Sequence, residues 1–261
     1  MSGIRLYGRY VGMHIRSAMQ YKASLCLSII GQFLVSFSVF LGIYFMYQRF
    51  DEVEGFTYEE TLLCFGIMLM EFSIAEMAVR GFDQFSSMVR QGEFDRVLVR
   101  PRSSVIQVLG SKFEITRVGR ILQGGVVFVY AIVKAHLAWD FWRVLTVVFM
   151  LIGGVALFSG LFLIYAALCF FTLEGLEFMN VFTDGGREFG RYPVGIYGKR
   201  MLQFCTFVVP YALVQYYPAL YLMGRVEGLQ YVVLPLFACL FLVPAYVLWR
   251  FGVRHYQSAG S

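Results

Sequence analysis

Charged residues are scarce in this chain of 261 residues, where Asp, Glu, Lys and Arg together make up 15%, against about 25% in soluble domains. Hydrophobic residues reach 59%, above the roughly 45–50% of soluble proteins. So few polar side chains cannot cover a water-soluble surface, which excludes a soluble globular protein. The net charge of +5 is divided among short segments between apolar blocks. Because no continuous basic tract occurs, we expect no binding of nucleic acid.

Cysteine and histidine are too few and too scattered to form a disulfide framework or a metal site. The five cysteines stand singly in apolar stretches without a C-x-x-C pair, and the three histidines are far apart. The chain also lacks a G-x-x-x-x-G-K-[ST] phosphate loop, a G-x-S-x-G elbow and an H-E-x-x-H pair. We therefore expect this polypeptide to bind no cofactor and to catalyse no reaction itself.

What the sequence has instead is a series of long apolar blocks, each near the 20 residues that a helix needs to cross a bilayer. They run from about Ala23 to Tyr47, Thr61 to Val79, Gly119 to Leu137, Val144 to Thr172 and Leu229 to Trp249. The stretch from 172 to 229 must hold one more crossing. The sequence thus predicts an all-α integral membrane protein with six transmembrane helices in a single domain, residues 1–261.

Lysine and arginine indicate the orientation, because cytoplasmic loops carry the excess of these residues. Basic residues concentrate in segments 1–22 and 80–118, whereas the segment after the first block has only Arg49 among five acidic residues. Both termini are therefore expected in the cytoplasm, with an even number of crossings.

Two segments compete for the fifth crossing. Charge favours Met201 to Met223, which keeps four neighbouring basic residues inside. The alternative, Leu173 to Arg191, carries Glu174 and Glu177, which are costly in lipid but tolerable beside a protein-lined cavity. In that case residues 192–223 form a re-entrant hairpin, punctuated by Pro193, Pro210 and Pro218.

The first 22 residues predict an amphipathic interfacial helix. At 100° per residue, Ile4, Tyr7 and Val11 fall on one face and Arg5, Arg9 and Arg16 fall on the opposite face. Apolar burial and attraction to anionic headgroups would hold such a helix flat on the inner leaflet.

The loop of residues 80–118 contains a short segment, Glu93 to Arg100, that is compatible with a helix. Pro101 would end this helix, because the residue before a proline is pushed out of the helical region. A short charged helix at the cytoplasmic surface could dock on a partner, or the segment could be an ordinary solvated loop.

Four short sequence segments, in their order along the chain, resemble segments of the permeases of ABC-2-type transporters. The likeness is greatest to the branch first described as an ABC-2 family domain of unknown function. The four segments are residues Gly92 to Pro101, Tyr192 to Tyr197, Tyr216 to Leu220 and Trp249 to Tyr256. The resemblance covers nearly the whole chain. One departure is Gly198, which stands where the wider class usually has a second proline.

The resemblance implies a six-helix permease of a bacterial cytoplasmic (inner) membrane, surrounded by membrane lipids and paired with an identical or different permease. Two copies of a separate ATPase would bind the ATP and Mg²⁺ and drive export of an amphipathic, lipid-like or drug-like substrate. The first cytoplasmic loop would form a coupling helix that docks on the ATPase. The residues expected to contribute are Glu93, Phe94, Asp95, Arg96, Leu98, Arg100 and Pro101. A re-entrant element before the last helix, also implied, favours the polar fifth helix.

Carboxylates within the predicted spans mark a possible translocation pathway. Glu71 lies near the middle of the second span and Glu76 about a turn and a half further on, and a carboxylate at the depth of Glu71 needs a partner or a wet cavity. With Glu174 and Glu177 they would give an anionic lining that suits cationic amphiphiles. Alternatively, Glu71 is protonated or bonded to a neighbouring helix. A passive channel or membrane scaffold without ATP coupling is the alternative function, although no repeated pore-lining element is apparent.

Overall fold

The structure, a computed structural model, describes residues 3–135, 139–172 and 176–257. In these ranges the chain is helical and forms no β-strand, which confirms the predicted class. The helices of the first half are α1 (Gly3–Ala18), α2 (Lys22–Tyr47), α3 (Tyr58–Asp83), α4 (Phe85–Arg90), α5 (Glu93–Leu98), α6 (Ser104–Leu109) and α7 (Val118–Lys134). Those of the second half are α8 (Phe141–Leu168), α9 (Met179–Gly190), α10 (Lys199–Phe207), α11 (Tyr217–Leu222), α12 (Gln230–Phe237) and α13 (Leu242–His255).

Five helical stretches within the described ranges are long and apolar enough to cross a membrane. They are Gly3–Tyr47, Tyr58–Arg90, Ile115–Lys134, Phe141–Leu168 and Gln230–His255. Each stretch contains or closely overlaps one of the five apolar blocks of the sequence. Gly3–Tyr47 also includes α1, which precedes the first block, and Tyr58–Arg90 also includes α4, which follows the second. The sixth predicted crossing has no such uninterrupted helix among the described residues.

Helices α3 and α8 form the centre of the bundle, where α3 packs against α7 and α8, and α8 also packs against α12 and α13. Close approach depends on small residues. A Cβ on Gly66 would press on Gly124 and Phe128 of α7, and one on Gly154 of α8 would overlap Glu71 of α3. Small residues at helix interfaces are the usual way in which membrane helices pack closely.

The two ends of the bundle differ in charge. One end carries α4, α5 and α6, and we call it the basic end; the other carries the loop of residues 48–57 with its acidic side chains, and we call it the acidic end. Helix α1 lies at the basic end, where Tyr7 donates a 2.8 Å hydrogen bond to the carbonyl of Ala78 and His14 bonds the carbonyl of Gly110 at 3.0 Å. Helix α13 finishes at this end as well, since Trp249 packs on Phe85 of α4.

The segment between α8 and α12 is broken rather than continuous. Helix α9 packs on α3 and α8, α10 follows a turn at Val194–Tyr197, and a π-helical turn at Ala212–Tyr216 leads into α11. The predicted helix from Met201 to Met223 is therefore not present as one uninterrupted helix. Of the Leu173 to Arg191 alternative, residues 173–175 lie outside the described residues, and the rest is helical from Leu176 to Gly190, as a turn at Leu176–Phe178 that leads into α9. In the Met201 to Met223 alternative, Pro210 explains the break after α10, because a proline lacks the backbone N–H that continues a helix.

Candidate functional site

The short helix predicted from Glu93 is present as α5, and its role in coupling stays a prediction. Gly92 precedes it with a positive φ of +67°, a left-handed conformation that glycine adopts without steric cost. Glu93 and Asp95 lie in its first turn, where negative charge complements the partial positive charge of a helix N-terminus. Helix α5 ends at Leu98, two residues before the Arg100–Pro101 bond.

Phe94 is the buried anchor of this helix, with 0% of its surface exposed. Its ring lies 5.0 Å from Phe85 of α4, 5.3 Å from Phe170 beyond α8 and 5.1 Å from Tyr256 beyond α13, measured between ring centroids. Trp249 completes this aromatic cluster, with its centroid 5.0 Å from Phe85. Phe94 therefore anchors α5 in the interior of the bundle, and its side chain is not part of the exposed face of this helix.

The outward surface of α5 and of the loop that follows combines charged and apolar side chains. Leu98 is 42% exposed and Val99 is 82% exposed. The remaining predicted coupling residues are Glu93, Arg96, Arg100 and Pro101, all exposed, and Asp95, which is partly buried. We call the exposed residues 96, 98, 99 and 100 the docking face. An exposed apolar pair between two arginines is typical of a surface that a protein partner covers.

Glu76 lies at the basic end of α3 and is bound by three arginines. Its carboxylate is 2.7 Å from Arg117, 3.0 Å from Arg80 and 3.3 Å from Arg120. Helix α3 departs from helical geometry at Val79, between Glu76 and Arg80. We call this group of four side chains the arginine cluster. Because Glu76 is outnumbered by cations, it does not act as a free anionic site.

Glu71 lies inside the bundle, completely buried, against Gly154 of α8. Neither of its carboxylate oxygens has a hydrogen-bond partner among the described residues. A buried carboxylate without a partner is costly to keep as an ion. Within this chain, Glu71 lies at the packed interface between α3 and α8.

Of the predicted pathway residues after α8, only Glu177 is described by the structure. Glu177 is exposed in a helical turn before α9, and Glu174 lies outside the described residues. The charged residue of α9 that does reach α3 is Arg187, whose guanidinium lies 4.8 Å from the centroid of the Phe72 ring. A guanidinium over an aromatic face is a favourable cation–π contact.

Two of the three prolines of the predicted hairpin lie where the helix is interrupted. Pro193 precedes the turn at Val194–Tyr197, and Pro210 separates α10 from the π-helical turn. Pro218 lies in the first turn of α11, which continues from the π-helical turn without a break. Gly198 has a φ of +87°. Because the proline ring fixes φ near −65°, this chain cannot take proline there without changing the hairpin.

The roles of some residues in these sites were not predicted from the sequence. Arg117 and Arg120 were assigned only to a basic loop, although their spacing at the start of an apolar block could have indicated an inward-facing pair. Gln215 is completely buried and donates to the carbonyl of Cys64 at 2.7 Å, which fixes the π-helical turn to α3. Nothing in the sequence around Gln215 signals that contact.

Comparison with known proteins gives one match. The model of a family described as ABC-2 family transporter protein matches residues 33–260. No curated protein and no solved structure matches the chain. The family match covers four of the five apolar stretches completely, residues 33–47 of the Gly3–Tyr47 stretch and the whole docking face. It also agrees with an all-helical chain that carries several membrane-spanning helices. This chain therefore belongs to the ABC-2 family of transporter proteins.

Proposed function

We propose that this chain is the transmembrane permease subunit of an ATP-driven exporter, powered by ATPase subunits that are separate polypeptides. The observation that carries the proposal is the docking face, an exposed apolar pair flanked by arginines on a helix that is anchored in the bundle. The chain itself has no phosphate-binding loop. The work would then come from a partner, and the family likeness supports an ATPase in that role.

The aromatic cluster provides the mechanical link between the docking face and the membrane helices. Phe94 of α5 packs on Phe85, Phe170 and Trp249, which belong to the basic ends of three different spans. Packed interiors have low compressibility. A displacement of α5 by a closing ATPase would therefore move α3, α8 and α13 together. Nucleotide shifts such an equilibrium only by its differential affinity for the two states.

We further infer six crossings, of which the fifth is the broken segment. Helix α8 runs towards the basic end, where Phe170 contacts Trp249. Arg225, after α11, is at the acidic end, where its Nε donates to Glu60 at 2.8 Å. The chain between them consequently traverses the bundle, and irregular backbone at membrane depth is tolerated where protein buries it. With the basic end in the cytoplasm, both termini are cytoplasmic.

A second permease, identical or different, would cover the exposed flank of α2. Only 11% of the most apolar window in the Gly3–Tyr47 stretch is buried by the rest of the chain, against 78% for the window of α3. The substrate route would then run between the two permeases. Substrates of the amphipathic or lipid-like class suit a route bordered by apolar helices.

Glu71 and Glu76 would contribute to such a route only after rearrangement, because the first is buried and the second is paired with arginines. An anionic lining remains a proposal on family likeness alone. Transport by a Glu71→Gln variant tests it: a changed substrate range with intact assembly would support the lining, and unchanged transport of every substrate would remove it.

Co-purification from the native cell tests the exporter directly. We expect the solubilised chain to retain an ATPase that carries a phosphate-binding loop, and Leu98→Asp and Arg96→Glu to lose it. Lys199→Glu, a charge reversal at an exposed residue outside the docking face, is the matched control and should retain the ATPase. A chain that purifies without any ATPase would support the passive channel or scaffold instead.

A further inference from the structure

A cavity of about 500 Å³ opens between the start of α6 and the end of α13, beside the aromatic cluster and outside the docking face. Its size falls in the range of roughly 300–1,000 Å³ found for ligand pockets. Trp249 lies behind it, and the indole Nε1 donates to the hydroxyl of Ser104 at 3.3 Å. The lining residues are Ser103, Ser104, Val105, Tyr246, Trp249, Arg250, Val253 and Arg254.

The charge of this cavity is entirely positive. Arg250 and Arg254, one helical turn apart on α13, are exposed, and no acidic residue is among the lining side chains. Within the described part of the chain, neither arginine forms an ion pair. Two guanidinium groups and two serine hydroxyls are the groups that recognise a phosphate, because guanidinium donors match its oxygens.

The position of the two arginines along α13 favours the phosphate of a lipid over a free phosphate. A crossing needs about 20 residues, so a span that begins at Gln230 leaves the hydrocarbon at about Trp249. Arg250 and Arg254 then lie at headgroup level. Val243 and Tyr246, 60% and 46% exposed, precede Arg250 at helical spacing on the membrane side. They provide an apolar path along which an acyl chain could run towards the bilayer interior.

We propose that this cavity binds the headgroup of an anionic phospholipid, with the phosphate between Arg250 and Arg254 and an acyl chain along Tyr246 and Val243. Basic pockets at the cytoplasmic side of membrane helices recognise such headgroups. The bound lipid would bridge α13 and α6 and so support the loop that carries α5. This site does not depend on the proposed ATPase, because none of its residues is in the docking face.

Titration of the purified chain with single lipids, followed by native mass spectrometry, tests the site. Each basic residue near an anionic surface contributes about a factor of five in affinity. The Arg250→Gln/Arg254→Gln variant should therefore bind phosphatidylglycerol roughly thirtyfold more weakly, with phosphatidylcholine unaffected. The Arg96→Gln/Arg100→Gln variant removes the same charge from the exposed loop and should bind phosphatidylglycerol like the unmodified chain.

Three results would overturn the proposal. The first is equal loss of phosphatidylglycerol binding in both double variants, which would indicate attraction to overall charge. The second is binding of phosphatidylcholine as tight as that of phosphatidylglycerol. The third is displacement of phosphatidylglycerol by millimolar inorganic phosphate, which would indicate a site for a free anion. If the Arg250→Gln/Arg254→Gln chain does not fold, the Ser103→Asp variant tests the site instead. A carboxylate at this exposed position should weaken phosphatidylglycerol binding. An unchanged affinity would refute the site.

Discussion

Glu76 of α3 lies 2.7 Å from the Nη2 of Arg117, 41 residues later at the start of the next long helix. The pair connects the two ends of the loop that carries the docking face. Arg117 also donates to Gln32 of α2 at 2.6 Å, so α2, α3 and the beginning of α7 meet at this one point. The side chains of Arg117 and Glu76 are only 11% and 8% exposed.

Removing the charge of Glu76 should destabilise the chain. In Glu76→Gln, Arg117 and Arg120 would remain poorly solvated without their anion, and breaking a buried pair in this way costs about 3 kcal/mol. Thermal unfolding in detergent measures the loss as a lower midpoint. Glu188→Gln is the control, because Glu188 pairs with Arg187 but its side chain is 47% exposed, and exposed pairs contribute about 0–1 kcal/mol. Equal midpoints for Glu76→Gln and the unmodified chain would contradict the structural role of the cluster.

Gly154 and Glu71 should show strong coupling in a double-mutant cycle. A Cβ on Gly154 would overlap the Glu71 carboxyl group, and overpacking of this kind costs about 1–3 kcal/mol. Gly154→Ala should therefore lower the unfolding midpoint, and the same substitution in a Glu71→Ala background should lower it much less. Additive effects of the two substitutions would show that α3 and α8 do not meet at these residues.

Gly198 should not tolerate a side chain. With φ of +87° and ψ of 167° it occupies a region that only glycine populates freely, and other residues there cost about 1–3 kcal/mol. We expect Gly198→Ala to lower the unfolding midpoint. Gly12→Ala is the matched control, because Gly12 is helical with open space around its Cβ position. A Gly198→Ala chain as stable as the control would contradict the hairpin geometry.

Phe94→Ala should damage both stability and partner binding. Loss of a fully buried phenylalanine costs about 3–5 kcal/mol, and α5 would lose its anchor in the aromatic cluster. Val99→Ala, at a residue that is 82% exposed, should leave the unfolding midpoint unchanged, since surface substitutions usually act within about 0.5 kcal/mol. Unchanged stability of Phe94→Ala, measured by thermal unfolding, would show that the ring does not hold the helix.

The long helices could be predicted from the sequence because hydrophobic length alone determines them. Lys22–Tyr47 and Phe141–Leu168 lie within four residues of the blocks expected from apolar content. The amphipathic helix at Gly3–Ala18 and the short helix at Glu93–Leu98 were also predicted, the latter from charge pattern and Pro101. The burial of Phe94 could not be predicted, because periodicity over six residues does not reveal which side of a helix packs inwards; its part in docking stays a prediction.

The broken segment and the arginine cluster could not be predicted in the same way. Prolines interrupt the apolar part of residues 176–222, and the conformation of this segment depends on tertiary contacts such as that of Gln215 with Cys64. Glu76, Arg117 and Arg120 meet because α3 and α7 run side by side in opposite directions. Sequence spacing gave no information on which acidic residue of α3 would face them. The sequence therefore predicted a basic segment near the end of α3, but not which of its arginines pair with Glu76.

Cross-linking from the docking face tests the central claim most directly. A photoreactive maleimide attached at Leu98→Cys, in a chain whose exposed Cys26 is replaced by serine, should form a covalent adduct with a phosphate-loop ATPase on illumination of native membranes. The same probe at Val129→Cys, on the exposed flank of α7, should form none. Absence of any ATPase adduct from position 98, with the labelled chain folded and inserted, would contradict the account of this chain as an ATP-coupled permease.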